Sequence, residues 1–207
     1  SIIDKDLFRL KVGKQLFTSQ GPKAIDELRS LGFEIFLDLK IHDIPNTVSK
    51  SLTNICNLGV WMTNIHLLGG QEMIEEASSA VKKSNSDMIL VGVTILTSLN
   101  EKNLVELGFN SSSEEIVINL AKLGEQNGVD GVVCSIDDIS GIKASLGRDF
   151  LSVTPGVRML QDNDDQKRSG SIYDAIQFGT DFVVVGREIT KSKNPEGVLK
   201  KIESLIV

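Results

Sequence analysis

Short runs of apolar and β-branched residues recur along the chain, each followed by an amphipathic stretch, so the periodicity predicts strands alternating with helices. Seven strands are predicted, at 9–13, 35–40, 62–68, 89–96, 131–135, 151–157 and 182–187. Between them, Ala24, Leu28 and Leu31 fall at i, i+4, i+7, and Ile74, Ala77 and Val81 at i, i+3, i+7. Each set draws one apolar stripe to lay on a sheet. Ser112 with Glu115 forms a capping box opening a helix over 116–126, and Val198, Ile202 and Leu205 share one face of the last helix. The run Phe182-Val183-Val184-Val185 is apolar on both faces, as a parallel strand covered on both sides requires. Repeated βα units at this length leave two architectures, an open doubly wound sheet and a closed (β/α)8 barrel. A closed barrel needs an eighth strand.

Composition changes this picture little. The chain has 207 residues, 41% hydrophobic and 24% charged, which suits one folded domain, or at most two small ones, and a single domain spanning 1–207 is expected. A net charge of −6 with no long basic run gives no electrostatic footprint for nucleic acid. Cys56 and Cys134 lie far apart without CxxC spacing and read as buried thiols in a reducing compartment. No apolar stretch reaches the roughly 18 residues of a membrane span, and no signal segment opens the chain, so the expected address is the cytoplasm, away from membranes. Asn110-Ser111-Ser112 then reads as a loop, not a glycan site.

The richest chemistry lies in Asp38-Leu39-Lys40-Ile41-His42-Asp43-Ile44-Pro45-Asn46-Thr47. In a strand, Asp38 and Lys40 point to one face and Leu37 and Leu39 to the other. Burying either ion alone costs several kcal/mol, so each must be paired or serve a ligand. Asp43 follows just past the strand end, Pro45 disfavours helix at Ile44, and Asn46 is a candidate cap for the next helix. Lys11, between Leu10 and Val12, supplies a further charge. Lys11, Asp38, Lys40 and Asp43 can form an alternating network of two ammoniums and two carboxylates, which favours the charged form of Lys40. A fixed ammonium facing a substrate carbon is a proton donor and a sink for carbanion charge. A structural ion pair at a strand end is the plainer reading of the same residues.

A second constellation closes the chain. Thr154-Pro155-Gly156-Val157-Arg158 ends one strand and Val185-Gly186-Arg187 the next, and in (β/α)8 barrels the last two strand ends form a recurrent phosphate site. Arg187 suits bidentate phosphate contact, and Gly186 allows close backbone approach. The polar loop 159–171, with Asp165-Gln166-Lys167-Arg168, is long enough to be a lid. His66, on one strand face with Asn64, reads as a core histidine or one behind the site and not as a metal ligand, since the chain holds only His42 besides. Leu96-Thr97-Ser98 ends its strand with hydroxyls that can read a base or sugar. GxGxxG, Walker A, HExxH and GxSxG patterns are absent from the sequence.

Taken together these residues resemble the orotidine 5′-phosphate decarboxylase family. The matching stretches are 10–14, 36–48, 93–98, 130–135, 154–158, 165–168 and 185–187, in the family's order and across nearly the whole chain. The resemblance implies a (β/α)8 TIM barrel that converts orotidine 5′-monophosphate to uridine 5′-monophosphate without metal or organic cofactor. It also implies a homodimer with sites completed across the interface. By position, Lys40 would protonate C6 of the pyrimidine, Asp38 would lie beside the substrate carboxylate, and Lys11 would be the second lysine. Asp43, with Thr47, would serve the partner's site, and Thr97 would read the pyrimidine ring. Pro155, Arg158, Gln166, Gly186 and Arg187 would form the closing loop and phosphate grip.

The family begins with a strand ending in a Leu-Asp pair, and this sequence, opening on Ser1, starts downstream of it. The first βα unit is therefore expected to be missing from the sequence and present in the molecule. Two other readings of the same residues remain open. One is a magnesium-dependent sugar-phosphate decarboxylase or aldolase of the same superfamily. The other is a non-catalytic barrel that binds phosphate ligands.

Overall fold

The computed structural model describes residues 3–159 and 170–206. The chain divides into two compact units. One holds Asp4–Val93 with Leu123–Gly131, and the other holds Thr94–Lys122 and the described residues from Val132 onward, with Ile3.

In the first unit the order is β1 (Leu10–Gly13), α1 (Lys14–Gln20), α2 (Pro22–Ser30), β2 (Ile35–Ile41), α3 (Pro45–Asn57), β3 (Met62–His66), α4 (Gln71–Lys83) and β4 (Ile89–Val93). The four strands pair in chain order, all parallel, with Leu10 opposite Ile35 and Met62 opposite both Phe36 and Ile89. Parallel neighbours need a crossover, and α3 and α4 supply it between successive strands. The core is built from Ile25, Ile35, Leu37, Leu52, Met62, Ile65 and Ile74, all fully buried. Pro45 occupies the first turn of α3, where its missing N–H costs nothing, and Ile44 stays extended before it at ψ 151°. Asn46 is therefore inside the helix and does not cap it.

The second unit carries α5 (Glu101–Glu106), while α6 (Ser113–Gln126) and β5 (Gly131–Val133) each have residues in both units; then follow α7 (Ile139–Leu146), β6 (Leu151–Pro155), α8 (Ile172–Gln177), β7 (Phe182–Val184), α9 (Arg187–Thr190) and α10 (Pro195–Ile206). β6 and β7 pair in parallel, Thr154 opposite Val183. Leu104, Ile139, Ile142, Val153 and Ile172 form its core.

All seven expected strands are present, and most end earlier than expected. The 3-10 turn Leu67–Gly69 follows β3, Thr97 lies in a turn past the end of β4, and Arg187 opens a helix instead of closing a strand. The capping box holds, with Ser112 Oγ accepting from Glu115 N at 3.2 Å and the Glu115 carboxylate from Ser112 N at 3.3 Å. Two stripes are rotated by about one residue. Ala24 and Ile25 are buried while Leu31 is exposed, and Leu199 with Ile202 replaces the Val198–Leu205 face. The last strand is also less enclosed than its apolar run suggests, since Phe182, Val183 and Val184 are each half-buried. Among the described residues no helix is long and apolar enough to cross a membrane.

Candidate active site

The register of β1 on β2 sets Gly13 opposite Asp38, so Lys11, two residues earlier, shares a sheet face with that carboxylate. Val12 and Leu37 face the other way and are buried. Gly13 matters here because a side chain would crowd the lysine: a Cβ would lie 3.4 Å from Lys11 Nζ. The amine reaches across to Asp38 Oδ2 at 3.1 Å.

Lys40 closes on the same carboxylate from the other side, with Nζ 2.5 Å from Oδ1. It does not arrive there by simple strand alternation. Leu37 pairs with Thr63, but the next pair is Ile41 with Ile65, so β2 bulges over the residues between. Within the bulge Lys40 adopts φ +52°, a left-handed conformation that costs a lysine about 1–2 kcal/mol. The bulge also removes its backbone N–H from the strand ladder. Asn64 on β3 meets that need: its Oδ1 accepts from Lys40 N at 2.7 Å, and its Nδ2 donates to Asp38 Oδ1 at 2.7 Å. Asn64 is fully buried.

Asp38 is almost enclosed, its side chain 11% exposed. Burial by itself pushes the carboxyl up, but the hydrogen bonds from Lys40 and Asn64 and the charges of Lys11 and Lys40 outweigh it and hold Asp38 below the usual range. A carboxylate flanked by two ammoniums thus borders an open cavity of about 630 Å³, also lined by Lys14, Gln15 and Ser19 of α1. Such an array is a preorganised electrostatic site, able to stabilise a developing anion and to give it a proton.

His66 ends β3 near this array. Its ring lies 5.5 Å from that of His42, and its Nδ1 is buried with no hydrogen-bond partner among the described residues. Burial first, then the charges of His42, Lys14 and Lys40, lower its pKa from 6.5 to about 4. The native protein therefore keeps His66 neutral where the unfolded chain, below about pH 6.5, takes a proton. Stability should fall as pH drops from 6.5 towards 4, by at most about 3 kcal/mol from this residue and by less where solvent screens the half-buried ring. Urea unfolding of wild type and His66→Gln between pH 7 and 4 checks this, the variant showing the shallower decline.

The remaining candidates distribute as follows. Asp43 and Thr47 are exposed at the start of α3 and lie outside the three-membered array; Asp43 Oδ1 accepts from Ile44 N at 2.7 Å. In the other unit, Thr97 is exposed, Pro155 ends β6 half-buried, and Gly186 caps α9, which Arg187 opens with its side chain exposed. Arg158 is tied to the far side of its loop, its N–H bonding to Gly170 O at 3.1 Å and its carbonyl accepting from Ile172 N at 2.8 Å. Met159 N donates to both Glu188 carboxylate oxygens, at 3.0 and 3.2 Å, which fixes the start of that loop to α9. Gln166, and with it most of the expected lid, falls outside the described residues. Cys134 is fully buried and its thiol is pushed well up by burial, whereas Cys56 is only half-buried; both are free.

Sequence reasoning missed Asn64 as a partner of the array. Its signal was an amide inside the otherwise apolar run Met62-Thr63-Asn64-Ile65, where a buried polar group needs a partner. Glu188, which follows Arg187 directly, was missed as well.

Comparison with known proteins bears on both fold and chemistry. Orotidine 5′-phosphate decarboxylase of Hydrogenovibrio crunogenus is 46% identical over 205 residues, 99% of this chain and 87% of that protein. The enzyme of the same name from Pseudoalteromonas translucida is 46% identical over 206 residues, covering 99% and 88%. The crystal structure of orotidine 5′-phosphate decarboxylase from Lactobacillus acidophilus superimposes with a TM-score of 0.84 at 36% identity, covering 94% of this chain and 85% of that one. The alternating strands and helices accordingly have the fold class expected, that of a TIM-type β/α barrel. Residues 2–202 match the family described as orotidine 5′-phosphate decarboxylase / HUMPS, and the chain belongs to that family.

Proposed function

We propose that this chain is a carboxy-lyase of pyrimidine biosynthesis that converts orotidine 5′-monophosphate to uridine 5′-monophosphate and carbon dioxide. The observation that carries this reading is the Lys11–Asp38–Lys40 array on the cavity wall, in a chain 46% identical to a decarboxylase of that name.

The C6–carboxylate bond breaks heterolytically and carbon dioxide leaves. The electron pair remains in an in-plane orbital at C6, which the ring π-system cannot absorb, so the barrier is that of a localised anion. Lys40 stabilises this charge and then donates an Nζ proton to C6, and solvent returns a proton to the amine. Asp38 stands beside the substrate carboxylate, held by the two lysines. Only contacts stronger in the transition state than in the ground state accelerate the step, so differential stabilisation by Lys40 is the main term.

Thr97 reads the pyrimidine, and Pro155, Arg158, Gln166, Gly186 and Arg187 take the phosphate, the guanidiniums through paired N–H donors. Residues 1–207 act as one decarboxylase domain. The reading needs neither metal nor organic cofactor and assigns no nucleic-acid or membrane partner. It places the enzyme in the cytoplasm, in keeping with two free thiols.

The reading extends to a homodimer in which Asp43 and Thr47 serve the partner's site. Support comes from their exposure beside Ile44, an aliphatic side chain left 65% exposed. Asp43→Ala and Lys40→Ala proteins should each be nearly inactive, and co-refolded mixtures should regain a substantial fraction of activity, because one of the two sites in a mixed dimer is then intact. Absence of rescue in verified mixed dimers would remove the shared site.

The direct test of function is the ultraviolet assay of orotidylate conversion, with and without chelator. Conversion unaffected by chelator is expected. Chelator-sensitive activity on a sugar phosphate would instead favour the magnesium-dependent alternative, and binding of uridine 5′-monophosphate without turnover would favour a binding protein.

A further inference from the structure

The catalytic lysine proposed above sits on backbone that is unusual in two respects: β2 bulges, and Lys40 itself is left-handed at φ +52°. A non-glycine residue holds such a conformation only when its surroundings fix it. One side chain does so on both counts. Lys40 N can only donate, so Asn64 must turn its Oδ1 towards it, and this leaves Nδ2 facing Asp38 Oδ1; both contacts measure 2.7 Å. The same carboxylate oxygen receives Lys40 Nζ. A closed circuit results, running from Lys40 backbone through the Asn64 amide and the Asp38 carboxylate to the Lys40 ammonium.

We propose that Asn64 is a positioning residue for the decarboxylation: its single buried amide locks the Lys40 backbone and the rotation of the Asp38 carboxylate, so the ammonium is aimed before substrate arrives. This deepens the decarboxylase reading and rests on it. Asn64 does not border the cavity where the lysines meet solvent, and it acts only through Lys40 and Asp38. Preorganisation of this kind affects the chemical step more than substrate affinity, because the phosphate contacts that anchor a nucleotide are elsewhere in the sequence.

The informative variant is Asn64→Asp, which keeps the acceptor for Lys40 N and replaces the donor to Asp38 by an oxygen. The charged and titratable groups around Asp38 are Lys11 on β1 and Lys40 on β2, and His66 on β3 nearby feels His42, Lys14 on α1, Lys40 and Asp38. Beside Asp38 the introduced carboxyl has a raised pKa, and when protonated it can donate again. In the orotidylate assay, kcat of Asn64→Asp should fall about 10²-fold or more at pH 8, with KM within about threefold of wild type. Relative to wild type the deficit should narrow at least tenfold at pH 5.5, whereas that of Asn64→Ser, which removes the bridge without adding a titratable group, should not.

A merely structural role would give no pH-dependent rescue in Asn64→Asp, and that result would overturn the proposal. So would kcat within threefold of wild type in either variant. Should Asn64→Asp fail to fold, Asn64→Ser decides: a kcat loss above about 30-fold with unchanged uridine 5′-monophosphate affinity supports positioning, and a parallel loss of both overturns it. Failure of wild type itself to convert orotidylate would sink the decarboxylase reading instead, a result separate from either variant's ratio.

Discussion

Lys40→Ala protein is expected to fold and to bind uridine 5′-monophosphate, yet to lose at least about 10⁴-fold in kcat/KM for orotidylate, equivalent to about 5.5 kcal/mol of transition-state stabilisation. The fold should survive because Asp38 keeps two partners, Lys11 Nζ at 3.1 Å and Asn64 Nδ2 at 2.7 Å, so no buried charge is left alone. Removing the lysine side chain also costs little packing, since it is 28% exposed at the cavity wall, and the backbone bond from position 40 to Asn64 is retained. The chemistry should not survive, because the variant lacks both the cation nearest the developing carbanion and the proton that quenches it. Thermal melting, product affinity and the absorbance assay on one preparation separate the two effects. Near-normal turnover would refute the assignment.

The second large effect is expected at Asp38→Asn. This substitution keeps the shape and removes the charge that holds two ammoniums within about 3 Å of one carboxyl group. Lys11 and Lys40 then face one another without a counter-ion until substrate supplies its carboxylate, and they should draw that carboxylate towards themselves and away from the reactive geometry. Loss of kcat by about 10³-fold or more should accompany a KM that is unchanged or lower, since a like charge next to the substrate carboxylate has also been removed. A raised KM with kcat intact would mean that Asp38 contributes binding alone. Because Asp38 is held below the ordinary carboxyl range, its contribution to stability is present above about pH 4 and is lost as pH falls through its lowered native value. The Asn variant should lack that acid-side loss.

The succession of strands and helices could be read from the chain because period-2 and period-3.6 patterns are local properties. The pairing of Lys11 and Asp38 could be anticipated for a related reason: charges on apolar strands need counter-charges, and few were on offer. What could not be read was how Lys40 reaches Asp38. Strict alternation would have sufficed, but the register slips between Leu37 and Ile41, and a bulge depends on the neighbouring strand, whose Asn64 lies 24 residues away in sequence. Strand ends were overestimated for the same kind of reason. Leu67, Thr97 and Arg187 continue apolar or β-prone runs, yet ladder pairing ends before them and the chain turns. Asp43, grouped with the network by spacing, lies outside the array of its own chain, where its carboxylate accepts from Ile44 N at the entrance to α3.

Restoring an amine at position 40 by chemistry tests most directly whether that amine carries the reaction. Lys40→Cys in a Cys56→Ser background leaves Cys134 fully buried and one accessible introduced thiol among the described residues. Alkylation with 2-bromoethylamine, in which the thiolate displaces bromide, then rebuilds a lysine-length ammonium. Orotidylate turnover should be nearly absent before alkylation and should rise at least about 100-fold after it. Quantitative alkylation, verified by mass, with no gain in turnover and unchanged uridine 5′-monophosphate binding would contradict a proton-donating role for Lys40.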